Sequence, residues 1–274
     1  MFLQQEWKKK RLQSKNKIVG LILFLAFLAA CSSSNIEDSL RRAQGLVGIG
    51  KYERAAKIYQ QILENNPQPE QKQQILILLG DLYANSLGDV VKGLDIYQQC
   101  IEINPYSEAA LNAHQKRAEI FERKDLSQQL VEEYAVIYKY FPKAEYRLYL
   151  GEAFIANKDY EQARVELRDF LEDPEVSQEW KNRVLFDIGE SYFLENRPHE
   201  ALKFYFAFLE MAPKSKLAPE VKLRIASCFE EMGRLGMAQK YTQKALEDYP
   251  NKQVVQERLK ALKKHSQTGS NKAK

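Results

Sequence analysis

Gly189-Glu190-Ser191-Tyr192, then Ala201-Leu202-Lys203-Phe204-Tyr205-Phe206-Ala207-Phe208 and Pro213, alternates small and large residues at helical spacing. A glycine three positions before a tyrosine, with Ala201, Tyr205 and Phe208 on the next apolar stripe, describes two helices whose faces approach closely. The same wording recurs along the chain. It reads Tyr52-x-x-Ala55-x-x-x-Tyr59-x-x-Ile62 before Pro67, Gly80-x-x-Tyr83 with Tyr97-x-x-Cys100 before Pro105, and Ala118-x-x-Phe121 with Tyr134-x-x-Ile137 before Pro142. It continues as Gly151-x-x-Phe154 with Tyr160-x-x-Ala163-x-x-x-Leu167-x-x-Phe170, and as Ala226-x-x-Phe229 with Gly233, Ala238, Ala245 and Pro250. Pro67, Pro105, Pro142, Pro174, Pro213 and Pro250 are separated by 38, 37, 32, 39 and 37 residues. A period of this length marks a solenoid of repeated helix pairs. Proline closes each unit because it lacks an N–H and clashes with the preceding helical turn. Within each unit the two helices flank a turn carrying Gly, Asn, Asp or Lys, and no strand pattern competes.

These residues resemble the tetratricopeptide repeat. The resemblance covers six units, 36–67, 70–105, 106–142, 143–174, 177–213 and 216–250. It implies an all-α fold, a right-handed superhelical solenoid of about six helix pairs. The small residue of each first helix (Gly80, Ala118, Gly151, Gly189 or Ala226) admits a large residue of the second. A last helix over 251–265, with Val254, Val255, Leu259 and Leu262 as its apolar stripe, is expected to cap the open end. A flexible basic tail, 266–274, follows. Two units depart from the pattern. The second has Gly93 where Ala is usual and an extra residue in the Asn85 to Asp89 turn; the third has Leu130 at the small-residue place. The fourth ends early at Asp173-Pro174, and the polar link from Glu175 to Gln178 is the expected place for a bend between a front and a back half.

The beginning of the chain carries an address. Lys8, Lys9, Lys10, Arg11, Lys15 and Lys17 precede an apolar run, Ile18 to Ala30, which is followed by Cys31 and Ser32-Ser33-Ser34-Asn35. This basic, apolar and small-residue order predicts an export signal over 1–30, and its apolar run is short of the ~20 residues that a spanning helix needs. Leu28-Ala29-Ala30-Cys31 resembles the lipobox of bacterial lipoproteins. The resemblance implies cleavage before Cys31 and acylation of that residue, with 31–35 as a tether and fatty chains (palmitate among them) holding the protein on a bilayer. Ser32, where inner-membrane lipoproteins often carry Asp, favours by the same resemblance the outer membrane of a Gram-negative cell, facing the periplasm.

Composition bounds the rest. The 274 residues are 45% hydrophobic and 28% charged, with 12 Gly, 9 Pro and 3 Cys, which excludes collagen, disordered tails and disulfide-stapled miniproteins. The net charge of +4 is +5 over 1–30, −7 over 31–250 and +6 over 251–274, so the bulk of the chain is acidic and a nucleic-acid partner loses its support. Cys100 and Cys228 are expected as buried free thiols. His114, His199 and His265 are dispersed, so neither a metal site nor a cofactor is indicated.

Tetratricopeptide proteins hold extended segments or helices of other proteins against their first helices. Carrying the groove positions of that family onto this chain gives Glu145, Leu148, Glu152 and Ile155 in the fourth unit. It gives Arg183, Phe186, Glu190 and Phe193 in the fifth, and Glu220, Leu223 and Glu230 in the sixth. They make an apolar strip with an acidic border, whose aromatic anchors would be Phe186 and Phe193. Phe204 and Phe206 lie off the core stripe of their helix, so one of them is a second docking candidate. Tyr134, Tyr138, Tyr140, Tyr146 and Tyr149 are expected mostly in the core. No Gly-rich phosphate loop and no placed catalytic constellation occurs, which argues against an enzyme; a peptidoglycan-cleaving enzyme is the catalytic alternative. The expected function is a periplasmic scaffold, anchored to the outer membrane, that binds other envelope proteins. It most resembles BamD-type assembly lipoproteins. CpoB-type coordinators, secretin pilotins and NlpI-like adaptors for peptidoglycan hydrolases are the other resemblances, and a β-barrel assembly subunit, a secretin or a peptidoglycan enzyme the corresponding partners.

Overall fold

Every regular element is a helix in the computed structural model, which describes residues 36–174 and 176–272. The signal 1–30, Cys31 and the tether 31–35 lie outside the described residues. Helix α1 covers 36–48 and α2 Tyr52–Glu64. They are followed by α3 (Pro69–Asp81), a π-helical turn (Leu82–Ser86) and α4 (Val90–Ile103). Next come α5 (Glu108–Arg123), α6 (Ser127–Tyr140), α7 (Ala144–Ala156) and α8 (Tyr160–Glu172). The last are α9 (Gln178–Leu194), α10 (Pro198–Met211), α11 (Ala218–Glu231), α12 (Leu235–Leu246) and α13 (Lys252–Lys272). The all-α expectation of paired helices is met. No described helix is long and apolar enough to cross a membrane.

The turns inside the pairs share one device. Gly50, Gly88, Asp125, Lys158, Asn196 and Gly233 all have positive φ, between 54° and 73°, and each stands between the two helices of a pair. The left-handed residue lets the chain reverse within a few residues, and glycine reaches that conformation without a Cβ clash. Asp125, Lys158 and Asn196 adopt it at a cost.

The chain divides into two compact units, one up to Arg117 and one from Ala118, a boundary that falls inside α5. This boundary does not fall at the 175–178 link. Val176 in that link buries its side chain in the cluster that also holds Phe170, Val184 and Leu185, so the link is fastened by the core on both sides.

In the first unit, α3 and α4 approach closely because Gly80 has no side chain. A Cβ there would stand 2.6 Å from the Tyr97 ring. The extra residue between these helices is absorbed by the π-helical turn, whose wider coil presses on α4 at Gly93; a Cβ on Gly93 would meet Ala84 Cβ at 2.7 Å. That contact explains why glycine replaces alanine here. Buried Gln73 donates to the carbonyl of Cys100 at 2.9 Å and to Ser107 Oγ at 2.8 Å, which satisfies the C-terminal end of α4.

In the second unit one core runs from α7 to α13 and contains Leu148, Leu167, Phe170, Ile188, Tyr205, Phe208, Ile225 and Leu262. Val255 of α13 packs with Leu223 and Ala245 in a smaller cluster. Helix α13 continues to Lys272, past the cap boundary expected at 265, so the segment expected as a flexible tail is helical through Lys272. Cys100 and Cys228 are both buried and free, and burial pushes each thiol up to about 12. Such thiols stay protonated and unreactive at neutral pH.

Candidate functional site

The glycines that set the helix spacing also build the polar face of the pairs. Gly80 is followed by Asp81, and Tyr97, whose ring covers the glycine, donates its hydroxyl to Asp81 Oδ1 at 2.7 Å. Gly189 is followed by Glu190, and Tyr205 covers that glycine and donates its hydroxyl to Glu190 Oε1. At Gly151-Glu152 the covering residue is Leu167, which has no hydroxyl to offer. Glu152 turns instead to the next pair and accepts from Arg183 Nη2 at 3.1 Å.

From this substitution a strip of charge develops across α7, α9 and α11. Arg183 also donates through Nε to both oxygens of Asp187, at 3.1 and 3.3 Å. Glu190 pairs with Arg224 Nε at 2.8 Å. Arg224 lies one turn beyond Glu220 at 3.8 Å, and Glu220 accepts from the Tyr249 hydroxyl at 3.1 Å. With Glu145 at its start, the strip sets five carboxylates against two guanidinium groups.

Burial of the strip shows in its acidities. Asp187, only 5% exposed, is raised to about 7, by burial first and by the neighbouring Glu152 second, against the pull of Arg183. Glu152 and Glu190 are also raised, in both cases chiefly by burial. Burial leads in all three, so these carboxylates are shifted by being held away from water more than by one another.

The expected groove residues do not all reach this face. Glu145, Glu152, Arg183, Glu190 and Glu220 do. Leu148 is 0% exposed and Leu223 is 8% exposed, so both belong to the core and cannot line an accessible groove. The correction has a physical cause: α7 buries Tyr146, Leu148, Leu150, Gly151 and Ala153, so its apolar surface wraps most of the helix. Ile155, Phe186 and Phe193 are half-buried against the same core. Phe186 lies 6.1 Å from the Tyr205 ring. Glu230 is exposed but clasped by Arg258 of α13 at 3.1 Å, off the end of the strip.

The remaining aromatic candidates divide. Phe204 stacks on Tyr192 with ring centroids 5.5 Å apart and is a packing residue. Phe206 is 38% exposed and touches Tyr241 edge-on at 5.9 Å. Tyr146 is buried, whereas Tyr134, Tyr138, Tyr140 and Tyr149 are half-buried. Tyr134 and Tyr149 lie 5.6 Å apart, and burial pushes the Tyr134 hydroxyl up to about 12.

Asp187 and Arg224 were not among the expected site residues. Their signal was present in the spacings Arg183 to Asp187 and Glu220 to Arg224, which put opposite charges one helical turn apart. No group of His, Cys, Asp and Glu able to hold a metal ion occurs among the described residues.

Two family models described as tetratricopeptide repeat match the chain, one over residues 40–108 and one over residues 145–175 and 220–252. Among curated protein sequences none matches. Several solved structures share the fold. The C-terminal part of a TPR repeat-containing protein from Cytophaga hutchinsonii is 16% identical at a TM-score of 0.62, over 81% of this chain and 86% of that one. A tetratricopeptide repeat protein from Parabacteroides merdae is 14% identical at a TM-score of 0.52, over 83% and 98%. PilF from Pseudomonas aeruginosa is 19% identical at a TM-score of 0.50, over 75% and 90%.

Proposed function

We propose, from the premise that this chain is a tetratricopeptide-repeat protein, that it is a lipid-anchored scaffold holding another envelope protein against α7, α9 and α11. The observation that supports this most directly is the strip from Glu145 to Glu220. Its five carboxylates face only two guanidinium groups, so a cationic partner group laid along the face would gain from them. Half-buried Phe186 and Phe193 lie beside it as apolar contact. Binding of another protein is the general work of tetratricopeptide repeats and requires no chemistry from the chain.

The anchor belongs to the same proposal. The likeness of Leu28-Ala29-Ala30-Cys31 to a lipobox supports acyl chains on Cys31, and Ser32 after it supports the outer membrane, facing the periplasm, as the destination. A BamD-type assembly lipoprotein is the specific role this reading favours. A pilotin-like role in secretin assembly is the second, since the secretin pilotin is likewise a lipoprotein of six such repeats.

Fractionation and co-purification test the two halves separately. Wild type is expected in the membrane fraction, and Cys31→Ser in the soluble fraction. A polypeptide co-purifying with wild type from detergent extract is expected to be lost with Glu145→Arg, while membrane attachment is unchanged. An unchanged membrane fraction for Cys31→Ser contradicts the anchor; undiminished co-purification with Glu145→Arg contradicts the strip.

A further inference from the structure

A second feature of the same unit lies away from the carboxylates of the strip. The start of α9, the end of α10 and the loop from Ala212 to Leu217 enclose a cleft of about 840 Å³, within the range of ligand-holding pockets. One wall is Trp180, 39% exposed, and another is Met211, 52% exposed; the floor reaches the buried ring of Phe208. A large aromatic and a methionine left open to water at one place are unusual for a surface with no role.

The rim has the opposite sign from the body of the chain. Lys214 and Lys216 are exposed on the loop, and neither pairs with an acid among the described residues. Glu179 is the single acid of the lining. The loop that carries the lysines is held in place. Leu217 N–H donates to Ser215 Oγ at 3.2 Å, and Ala218 N–H to the Ser215 carbonyl at 3.0 Å. The cleft is therefore preorganised, and a ligand that enters it orders little backbone.

We infer that this cleft is a docking site for an extended acidic segment of a partner protein, which inserts an apolar side chain between Trp180 and Met211 and sets its carboxylates against Lys214 and Lys216. The charge complementarity selects this occupant: a basic segment would meet two uncompensated cations, and a wholly apolar one would leave them without a partner. Arg183 of the strip also borders the cleft, but Lys214, Lys216 and Met211, on which the docking rests, take no part in the strip's network.

Trp180 makes the test direct. The chain has two tryptophans, Trp7 and Trp180; Trp7 lies in the segment that the proposed cleavage removes, and Trp7→Phe leaves Trp180 as the only indole in any uncleaved chain as well. The full chain carrying that change, in neutral detergent, is titrated with a short peptide alternating glutamate and leucine while Trp180 emission is followed. A saturable blue shift is expected, weakened about fivefold or more by Lys214→Glu with Lys216→Glu, and again by Met211→Asp, with unchanged thermal unfolding. No shift with the acidic peptide overturns the inference, as does an equal shift with the matched lysine and leucine peptide. An equal shift with phosphatidylglycerol added to the detergent micelles would make the cleft a lipid site and overturns it as well. Failure here leaves the Glu145→Arg test untouched, because the substituted residues and the readouts of the two experiments differ.

Discussion

Gly189 shows how a single absent side chain sets both packing and polarity. A Cβ on it would stand 2.5 Å from Tyr205 Cε1, closer than neighbouring atoms allow, and the same ring carries the hydroxyl that Glu190 accepts. Gly189→Ala is expected to destabilise the second unit by ~1–3 kcal/mol, the usual range for overpacking, as read by urea unfolding. Tyr205→Leu in the same chain should recover part of that loss, because it removes the ring edge the new methyl group meets. Asp187 supplies a pH prediction. Its folded acidity is raised to about 7 from an ordinary value of 3.8, so the folded state holds the proton more tightly than the unfolded state. Its contribution to stability is complete below its ordinary value and is lost as pH rises through about 7. Asp187→Asn should therefore gain melting temperature relative to wild type between pH 4 and pH 8, with the two chains converging at the acid end. A relative loss would show that attraction to Arg183 outweighs burial.

At the scale of elements, the helix pairs were legible in the sequence and their cross-pair chemistry was not. The alternation of Gly189 with Tyr205, or Gly80 with Tyr97, reports contacts between adjacent helices in one pair, and spacing along the chain encodes those well. The extra residue near Asn85 was also legible, and it emerged as the π-helical turn, which is why Gly80 and Tyr97 are seventeen residues apart and Gly189 and Tyr205 sixteen. Arg183 with Glu152, or Arg224 with Glu190, joins different pairs over some thirty residues, and no local period announces such partners. Leu148 was misplaced for a related reason: a helix covered on several sides gives its inward and groove positions the same apolar residues. The turns give the prediction at this scale. Lys158 holds φ at 67°, where glycine stands in the first, second and sixth pairs. Lys158→Gly should stabilise the fold by about 0.5–1 kcal/mol, the left-handed penalty relieved less the entropy of glycine, in chemical unfolding. Destabilisation instead would mean that the lysine side chain contributes more than its backbone costs.

For the whole molecule, charge and attachment are the features that a partner meets. The −7 of residues 31–250 contrasts with the +6 of residues 251–274, so a partner approaching the body encounters an acidic surface broken by the lysines of the Ala212 to Leu217 loop. Long-range attraction of this kind weakens with salt, so association with the strip should be faster at low ionic strength. The proposed anchor at Cys31 would keep the binding faces near one bilayer and raise the local concentration of whatever the protein gathers. The most direct measurement of the central claim is site-specific photocrosslinking in living cells. A photoreactive residue is placed in turn at Glu145 and Phe193 beside the strip, and at Lys203 and Gln243 on the second helices of the last two pairs. The account predicts an adduct of one defined mass from Glu145 and Phe193 and none from Lys203 or Gln243. Adducts from Lys203 and Gln243 alone, or none from any position, would contradict it.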